Sequence, residues 1–288
     1  ILVSTGKQPE GQSVLGILVA SDDRQVQLVQ LCDQTPLGRF GAGELRQADG
    51  VLVVDETGPL KRGAKSCGAA RRCPGTAGRV ENCQAGVFLG YATRKGRALV
   101  DRALYLPEDW ADDTGRREEA GVPGEVEFAT KALLARRMID RAVGAGLPAK
   151  WVTAGAVYGS DYHFRTGLEG HGLGYVVGVR TDFSIVPGFR QARARALLAD
   201  VPAGGRHRLS CGAGSKGPRE YDWALLRTNS PGPDEYRRWL LTRRSIANPD
   251  EVAYSACGGS PATTLAELVR IAGVRWSIED LFELAKGD

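Results

Sequence analysis

Two carboxylates directly follow a short apolar run in the segment Val51-Leu-Val-Val-Asp-Glu-Thr-Gly58. Four consecutive β-forming apolar residues predict a strand that is buried on both faces. Asp55 and Glu56 then emerge where the backbone leaves the core, and a rigidly held carboxylate at a strand end can bind a hard divalent cation. An aspartate that merely caps a turn is the alternative that this motif alone leaves open.

A second carboxylate candidate lies near the C-terminus, where residues 275–286 show helical spacing. The inward-facing apolar stripe of this helix consists of Ile278, Leu281 and Ala285. A second stripe beside it consists of Arg275, Glu279 and Lys286. Glu279 can therefore point at the edge of a sheet. The alternative is a surface ion pair between Arg275 and Glu279, which would contribute ~0.3 to 0.5 kcal/mol.

Composition excludes several classes of protein. The 288 residues are 42% hydrophobic and 25% charged, as is typical of one large or two ordinary soluble domains. No apolar run approaches a membrane span of ~18 to 20 residues, and the first residues lack a secretory signal. The chain does not begin with Met, so we expect that it is a fragment. Six cysteines without CxxC pairs and three histidines give no zinc pattern, which favours reduced, structural cysteines.

The net charge of +4 and four dense basic segments suit a polyanionic partner, although solvated helix faces produce the same pattern. These segments are 61–79, 94–102, 190–195 and 237–244.

The order of predicted elements indicates an α/β fold. After the strand at 51–54 we expect strands at 82–91 and 97–106, a helix at 126–145, a strand at 151–154, a turn at 155–160, a helix at 161–171 and a strand at 174–180. Three antiparallel strands thus precede a parallel pair joined by helices. Short strands among Gly/Pro turns follow up to residue 260, and helices at 263–273 and 275–286 close the chain. Residues 24–31 alternate like a strand, but residues 1–50 carry no recognisable chemistry.

From Val51 to Asp288 the chain resembles the DDE transposases of bacterial insertion sequences, in the group named after insertion sequence seven-hundred-one. The matching segments are 51–58, 75–84, 97–107, 121–131, 151–154, 157–159, 239–245 and 275–280. The resemblance implies an RNase H-like core, that is, a mixed five-stranded sheet with flanking helices, interrupted by a β-rich insertion. It also implies four regions: a divergent segment 1–50, the first part of the core at 51–180, the insertion at 181–260, and the closing helices at 261–288.

The family activity that this implies is DNA cleavage and strand transfer through two divalent metals, Mg²⁺ or Mn²⁺. Asp55 matches the first acid, and Glu279 the third, in the signature usually written YREK, whose tyrosine falls at Ala272. The residues expected to contact double-stranded DNA at the transposon ends are Arg275, Lys286, Arg243 and Arg244. The resemblance places such a protein in the bacterial cytoplasm with the nucleoid, and a homodimer is one assembly left open.

The second acid of the family is missing. The family has Asp-Glu after the strand at 151–154, where this chain has Gly155-Ala156. Loss of this carboxylate removes one bridge between the metals and should slow cleavage on the order of 10³-fold or more. Asp161 could replace it, or could simply cap the next helix. Residues 1–50 do not resemble the family's DNA-end-binding region, and the chain stops soon after Glu279, where family members continue.

Three functions therefore stay open: an impaired transposase domain, a domesticated DNA-binding protein, and a core reused for a small molecule with Gly155 opening a pocket. The first two predict salt-sensitive DNA binding and the third predicts none. In all of them an RNase H-like fold should bring Asp55, Glu279 and Gly155 to one cleft.

Overall fold

The computed structural model describes residues 45–58, 61, 66–72, 81–185, 192–202, 204–214, 217–228 and 236–286. The expected strand at 24–31 lies outside these residues. The strands are β1 Val51–Thr57, β2 Ala69–Arg72, β3 Glu81–Gln84, β4 Gly86–Thr93, β5 Gly96–Leu104, β6 Trp151–Ala154, β7 Gly174–Val179, β8 Ser184–Ile185, β9 Ala192–Arg193, β10 His207–Gly214, β11 Gly217–Thr228, β12 Arg237–Arg244 and β13 Val252–Gly259. The helices are α1 Glu108–Ala111, α2 Thr114–Glu119, α3 Lys131–Gly144, α4 Ala156–Gly159, α5 Tyr162–Gly170, α6 Leu265–Val274 and α7 Trp276–Lys286, with a 3₁₀ helix at Ala194–Asp200.

One mixed sheet organises the described residues, with its nine strands in the order β10-β11-β12-β13-β7-β6-β1-β4-β5. β1, β6 and β7 run parallel, and every other neighbouring pair is antiparallel. Five adjacent strands of this sheet match the sequence prediction: β5, β4 and β1 are the three antiparallel strands, and β6 and β7 are the parallel pair. The predicted α/β class, with a mixed sheet and flanking helices, is therefore confirmed.

The β-rich stretch before the last two helices continues this sheet instead of forming a separate layer. β10 to β13 pair with one another in an antiparallel ladder, and β13 pairs with β7 of the core. Leu240, Leu241 and Thr242 of β12 are all buried, with Leu240 in the core on one face of the sheet and Leu241 in the core on the other, so both faces are covered here. The sheet is consequently wider than the five strands expected.

Three predicted boundaries were wrong, for local reasons. α3 begins at Lys131 and not at residue 126, because the Thr130 hydroxyl accepts a hydrogen bond from the Leu133 N–H and caps the helix there. The segment predicted as one strand at 82–91 divides at Ala85 into β3, which pairs with β2, and β4 of the main sheet. The turn predicted at 155–160 contains the short helix α4.

The side chains of β1 alternate between the two faces of the sheet. Leu52 and Val54 pack in the core with α3, α4 and α5, whereas Val51 and Val53 pack in the core with α6 and α7. All four are at most 2% exposed. Since successive strand residues point to opposite faces, the alternation directs Asp55 toward α7 and Glu56 toward α3 and α4.

α7 packs on the sheet through a stripe that differs from the predicted one. Ile278 is fully buried as expected, but its packing partner is Phe282, whose ring meets Phe88 of β4 edge-on at 5.3 Å between centroids. Leu281 is only half-buried, and the side chain of Ala285 lies outside the described residues. The shift follows the 3.6-residue period of the helix, because residues 278 and 282 are four apart and share one face.

Two further expectations concern the cysteines and the membrane. Among the described residues Cys67, Cys83, Cys211 and Cys257 are buried and free, as predicted. None of the described helices has the length and apolarity needed to cross a bilayer.

Candidate functional site

Asp55 lies in β1 directly after its four buried residues, and its carboxylate contacts Arg275 from near the C-terminus. Arg275 donates from Nη2 to Asp55 Oδ2 at 2.9 Å. The Glu56 backbone N–H donates to the other oxygen, Oδ1, at 3.0 Å. The Asp55 side chain is 15% exposed and that of Arg275 is 39% exposed. The aspartate is therefore held rigidly and sits in an ion pair that remains accessible to solvent.

Burial dominates the electrostatics of Asp55. The removal of water raises its pKa above the ordinary value of 3.8, while Arg275 and the Glu56 N–H lower it and the charge of Glu56 raises it again. The net direction is upward. The neighbouring guanidinium therefore offsets only part of the desolvation of this carboxylate.

Gly155 occupies the corresponding end of the neighbouring parallel strand. β1 and β6 pair in the register Val54 to Ala154, so one further step places Gly155 beside Asp55. A Cβ atom built on Gly155 would lie 3.2 Å from Arg275 Nη2. Asp55 and Gly155 thus flank the same guanidinium group.

Neither the backbone nor close packing requires glycine at this position. Gly155 has a φ of −75°, which any residue can adopt. The nearest atoms to its Cβ position belong to the end of the flexible Arg275 side chain. Gly159 differs, because a Cβ there would lie 1.9 Å from the carbonyl oxygen of Gly178 in β7. Of these two glycines only Gly159 is needed for packing.

Glu279 lies in the first turn of α7, one turn after Arg275, which joins α6 to α7. The residue is exposed. Partial desolvation of its carboxyl group raises its pKa, Arg275 lowers it, and Asp55, Asp280 and Glu283 raise it. Because Asp55 and Glu279 interact electrostatically with each other and with Arg275, the structure brings Asp55, Gly155, Arg275 and Glu279 into one neighbourhood.

Asp161 caps a helix and does not replace the missing acid. Its side-chain Oδ1 accepts a hydrogen bond from the Phe164 N–H at 2.7 Å, at the start of α5. Phe164 packs in the core on the α3 side of the sheet, away from the face that carries Arg275. Helix capping, one of the two interpretations of Asp161 left open by the sequence, is confirmed.

The acids near Asp55 do not fit a divalent cation in this arrangement. The described residues contain no group of three or more His, Cys, Asp or Glu side chains placed to hold a metal ion. Two carboxylates are available, and one of them already binds the Arg275 cation. Hard divalent cations take six or more oxygen ligands, some of them water, and here the Arg275 guanidinium competes for an oxygen of Asp55. We therefore derive no reaction step through a metal.

Two of the other cations expected at DNA, Arg243 and Arg244, have intramolecular partners. The Arg243 guanidinium lies over the rings of Tyr221 and Trp276, at 4.6 and 5.2 Å. Arg244 Nη2 donates to Asp222 Oδ2 at 3.0 Å. The side chain of Lys286 lies outside the described residues. A role in DNA binding stays a prediction for all three.

Glu56 belongs to a network that the sequence alone did not reveal. Lys131 Nζ donates to Glu56 Oε1 at 2.7 Å, and the Tyr158 hydroxyl donates to Oε2 at 2.6 Å. Burial, reinforced by the charge of Glu56, raises the pKa of Tyr158. The alternation of β1 indicates that Glu56 faces away from Asp55, but nothing local identifies Lys131 and Tyr158 as its partners.

One known protein family matches this chain. The family model described as DDE superfamily endonuclease matches residues 39–227, well over half of the chain, a span that includes Asp55 and Gly155. The mixed sheet is consistent with the RNase H-like fold of such enzymes. Among solved structures, the NurA nuclease from Sulfolobus solfataricus is similar over 84% of each chain, with 9% identity and a TM-score of 0.35. No match was found among curated proteins. The chain belongs to the DDE superfamily endonuclease family.

Proposed function

We propose that this chain is a transposase-derived DDE domain, of the seven-hundred-one group of insertion sequences, in which DNA cleavage and strand transfer are impaired. Asp55 and Glu279 correspond to the first and third acids, with Glu279 in a YREK-type signature, and Gly155 stands in place of the second. The observation that supports this most is the position of Arg275, whose Nη2 lies 2.9 Å from Asp55 Oδ2 and 3.2 Å from the Cβ position of Gly155.

Charge balance gives the physical reason for the impairment. DDE nucleases use divalent metals, which stabilise the attacking and leaving oxygens of a phosphodiester when three carboxylates hold them. Here Asp55 and Glu279 carry two negative charges, and Arg275 neutralises one of them. A third carboxylate at position 155 would restore the excess negative charge that attracts a divalent cation. Without it, the pair of acids favours the guanidinium already in place.

Arg275 suits a phosphate as well as a carboxylate. The Arg275 side chain is 39% exposed and its buried Nε atom has no hydrogen-bond partner among the described residues, so the guanidinium is accessible and incompletely hydrogen-bonded. Arginine binds phosphate oxygens through two parallel N–H donors. We infer that a DNA phosphate competes with Asp55 for Arg275, so that DNA binding would release the aspartate.

Nicking of supercoiled plasmid in Mg²⁺ or Mn²⁺ tests the proposal. We expect the wild-type rate to stay near background and Gly155→Asp to raise it, by about 10² to 10³-fold if one electrostatic group is recovered. Gly155→Ala is the control, because it adds a Cβ atom at the same position without adding charge. Asp55→Ala in the Gly155→Asp background should abolish the gain. A wild-type chain that nicks DNA as fast as Gly155→Asp would refute the impairment.

A domesticated, non-catalytic DNA-binding protein is the second candidate. The same Asp55–Arg275 ion pair favours it, since a guanidinium fixed on the first acid also suits a site that has lost its chemistry. For this candidate, Gly155→Asp would remain as inactive as Gly155→Ala in the nicking assay, while wild-type DNA binding would persist and weaken with salt.

A further inference from the structure

A wide cleft lies on the α6/α7 face of the sheet, toward the start of β1. Its volume is about 1310 Å³, which exceeds the ~300 to 1,000 Å³ of ordinary small-ligand pockets. The turn between β4 and β5 forms one wall, the β10–β11 hairpin a second, and α6 with α7 the third. We call it the basic cleft and define it by Lys95, Arg97, Gly212, Arg219, Arg270 and Trp276.

Positive charge dominates the walls of the basic cleft. The basic lining residues are Arg94, Lys95, Arg97, Arg219 and Arg270, against the acids Asp49, Asp280 and Glu283. Arg94 pairs with Asp49 at 3.3 Å and Arg97 with Asp280 at 2.9 Å, but all four side chains are at least 36% exposed, so these pairs are weak. Lys95 and Arg270 are exposed and have no carboxylate partner among the described residues. The cations of the cleft therefore remain accessible to an anionic ligand.

Arg219 is held in place on the wall of the cleft. Its guanidinium stacks on the ring of Trp276, 4.3 Å from the centroid, and donates from Nη2 to the Gly273 carbonyl oxygen at 3.3 Å. The Nε atom is buried and has no hydrogen-bond partner among the described residues. A guanidinium that is already held in place loses little conformational entropy when it binds an anion.

Glycines on the second wall allow a ligand to approach the backbone. Gly212 and Gly217, in the β10–β11 hairpin, have φ values of +129° and +108°. Residues with side chains rarely adopt this conformation, and the absence of side chains there widens the cleft. An extended polymer with regularly spaced charges fits such an open groove better than a compact metabolite does.

The cleft lies at a fixed distance from the candidate site. Val51 lines it, and Asp55 is four residues further along the same strand, which is about 13 Å at 3.3 Å per residue. This distance corresponds to roughly four nucleotide steps of a duplex strand at 3.4 Å each.

We propose that the basic cleft binds the phosphodiester backbone of DNA that flanks the candidate site, about four nucleotide steps from Asp55. DNA as the ligand rests on the proposed function, whereas the charge and shape of the cleft do not. Two cations without carboxylate partners (Lys95 and Arg270) and one fixed guanidinium (Arg219) would provide the contacts.

Fluorescence anisotropy of the full chain with a labelled random-sequence duplex, in EDTA and over a range of NaCl concentrations, tests the proposal. Lys95→Gln with Arg270→Gln should weaken binding at low salt on the order of tenfold or more and reduce the salt slope by about 1.8, since each lost phosphate contact removes about 0.9. The matched control is Arg137→Gln with Arg193→Gln, two exposed cations associated with the opposite face of the sheet. The control should keep the wild-type slope.

Equal slopes for the cleft variant and the control would overturn the proposal. A second outcome would also overturn it: labelled polyglutamate binds the wild type but not the cleft variant, while duplex binding is the same in both. The cleft would then bind an acidic peptide. The binding assay contains no metal, so its result does not depend on whether Gly155→Asp nicks DNA. A failure of the cleft variant likewise leaves the nicking experiment intact.

Discussion

Asp55 and Glu56 are neighbours in β1, yet the strand sends them to opposite faces of the sheet with very different partners. Glu56 accepts from Lys131 and Tyr158, one on each oxygen, and both donors come from helices packed on its face. Asp55 accepts from one backbone N–H and from Arg275, whose Nε still lacks an acceptor, and the adjacent strand end is a glycine.

The comparison separates a structural acid from a candidate functional one. Both donors to Glu56 are side chains of α3 and α4, so this carboxylate joins two helices to the sheet through charge-assisted hydrogen bonds and stabilises the fold. A carboxylate whose pKa is raised by burial, beside an open position and an exposed cation, contributes little to stability and is available for a ligand.

The largest stability effect is expected on the Glu56 side. Tyr158→Phe keeps the buried ring but removes the donor to Glu56, so we expect the free energy of unfolding to fall by about 1.5 to 3 kcal/mol, the usual range for a hydrogen bond to a charged group. Urea denaturation measures this. The matched control is Tyr162→Phe, whose residue is 62% exposed and should change stability by less than about 0.5 kcal/mol. Equal losses in the two variants would contradict a structural role for Glu56.

A smaller effect, with a pH dependence, is expected on the other face. Asp55→Asn removes the ion pair between the Asp55 side chain, which is 15% exposed, and Arg275, and should change stability by less than about 1 kcal/mol, because the desolvation of Asp55 offsets most of the attraction. Because burial raises the pKa of Asp55 above 3.8, the folded state binds this proton more tightly than the unfolded state does. The wild type should therefore lose stability relative to Asp55→Asn as pH rises through this raised pKa. Urea denaturation of both proteins between about pH 4 and about pH 7 checks the sign. If the wild type instead becomes more stable relative to Asp55→Asn as pH rises, the effect of Arg275 on the pKa of Asp55 must exceed that of burial.

Local patterns in the sequence were sufficient to predict the core. A run of four buried β-formers located β1, the strand patterns at 82–91 and 97–106 located most of β4 and β5, and the order of elements gave the mixed sheet. The same kind of pattern indicated helix capping as one of two interpretations of Asp161, and the cap of α5 confirms it. These features depend on the conformations of a few consecutive residues, which single-sequence reasoning can assess.

Long-range pairing could not be predicted from the residues alone. The Asp55–Arg275 hydrogen bond joins residues 220 positions apart, and the Glu56–Tyr158 bond residues 102 apart. The position of the Arg275 guanidinium beside Gly155 depends on how the junction between α6 and α7 packs against β1. The joining of β13 to β7, which makes the insertion part of the main sheet, depends likewise on strand-edge pairing between distant segments.

Binding of Mn²⁺ to the full chain, followed by electron paramagnetic resonance of the free ion, tests most directly whether the Asp55 site lacks a metal-binding acid. We expect the wild type to have no saturable site that depends on Asp55, because Arg275 neutralises this aspartate and position 155 offers no oxygen ligand. Gly155→Asp should gain such a site, and Asp55→Ala in that background should lose it. A wild-type chain that binds Mn²⁺ saturably and loses the site with Asp55→Ala would contradict the account.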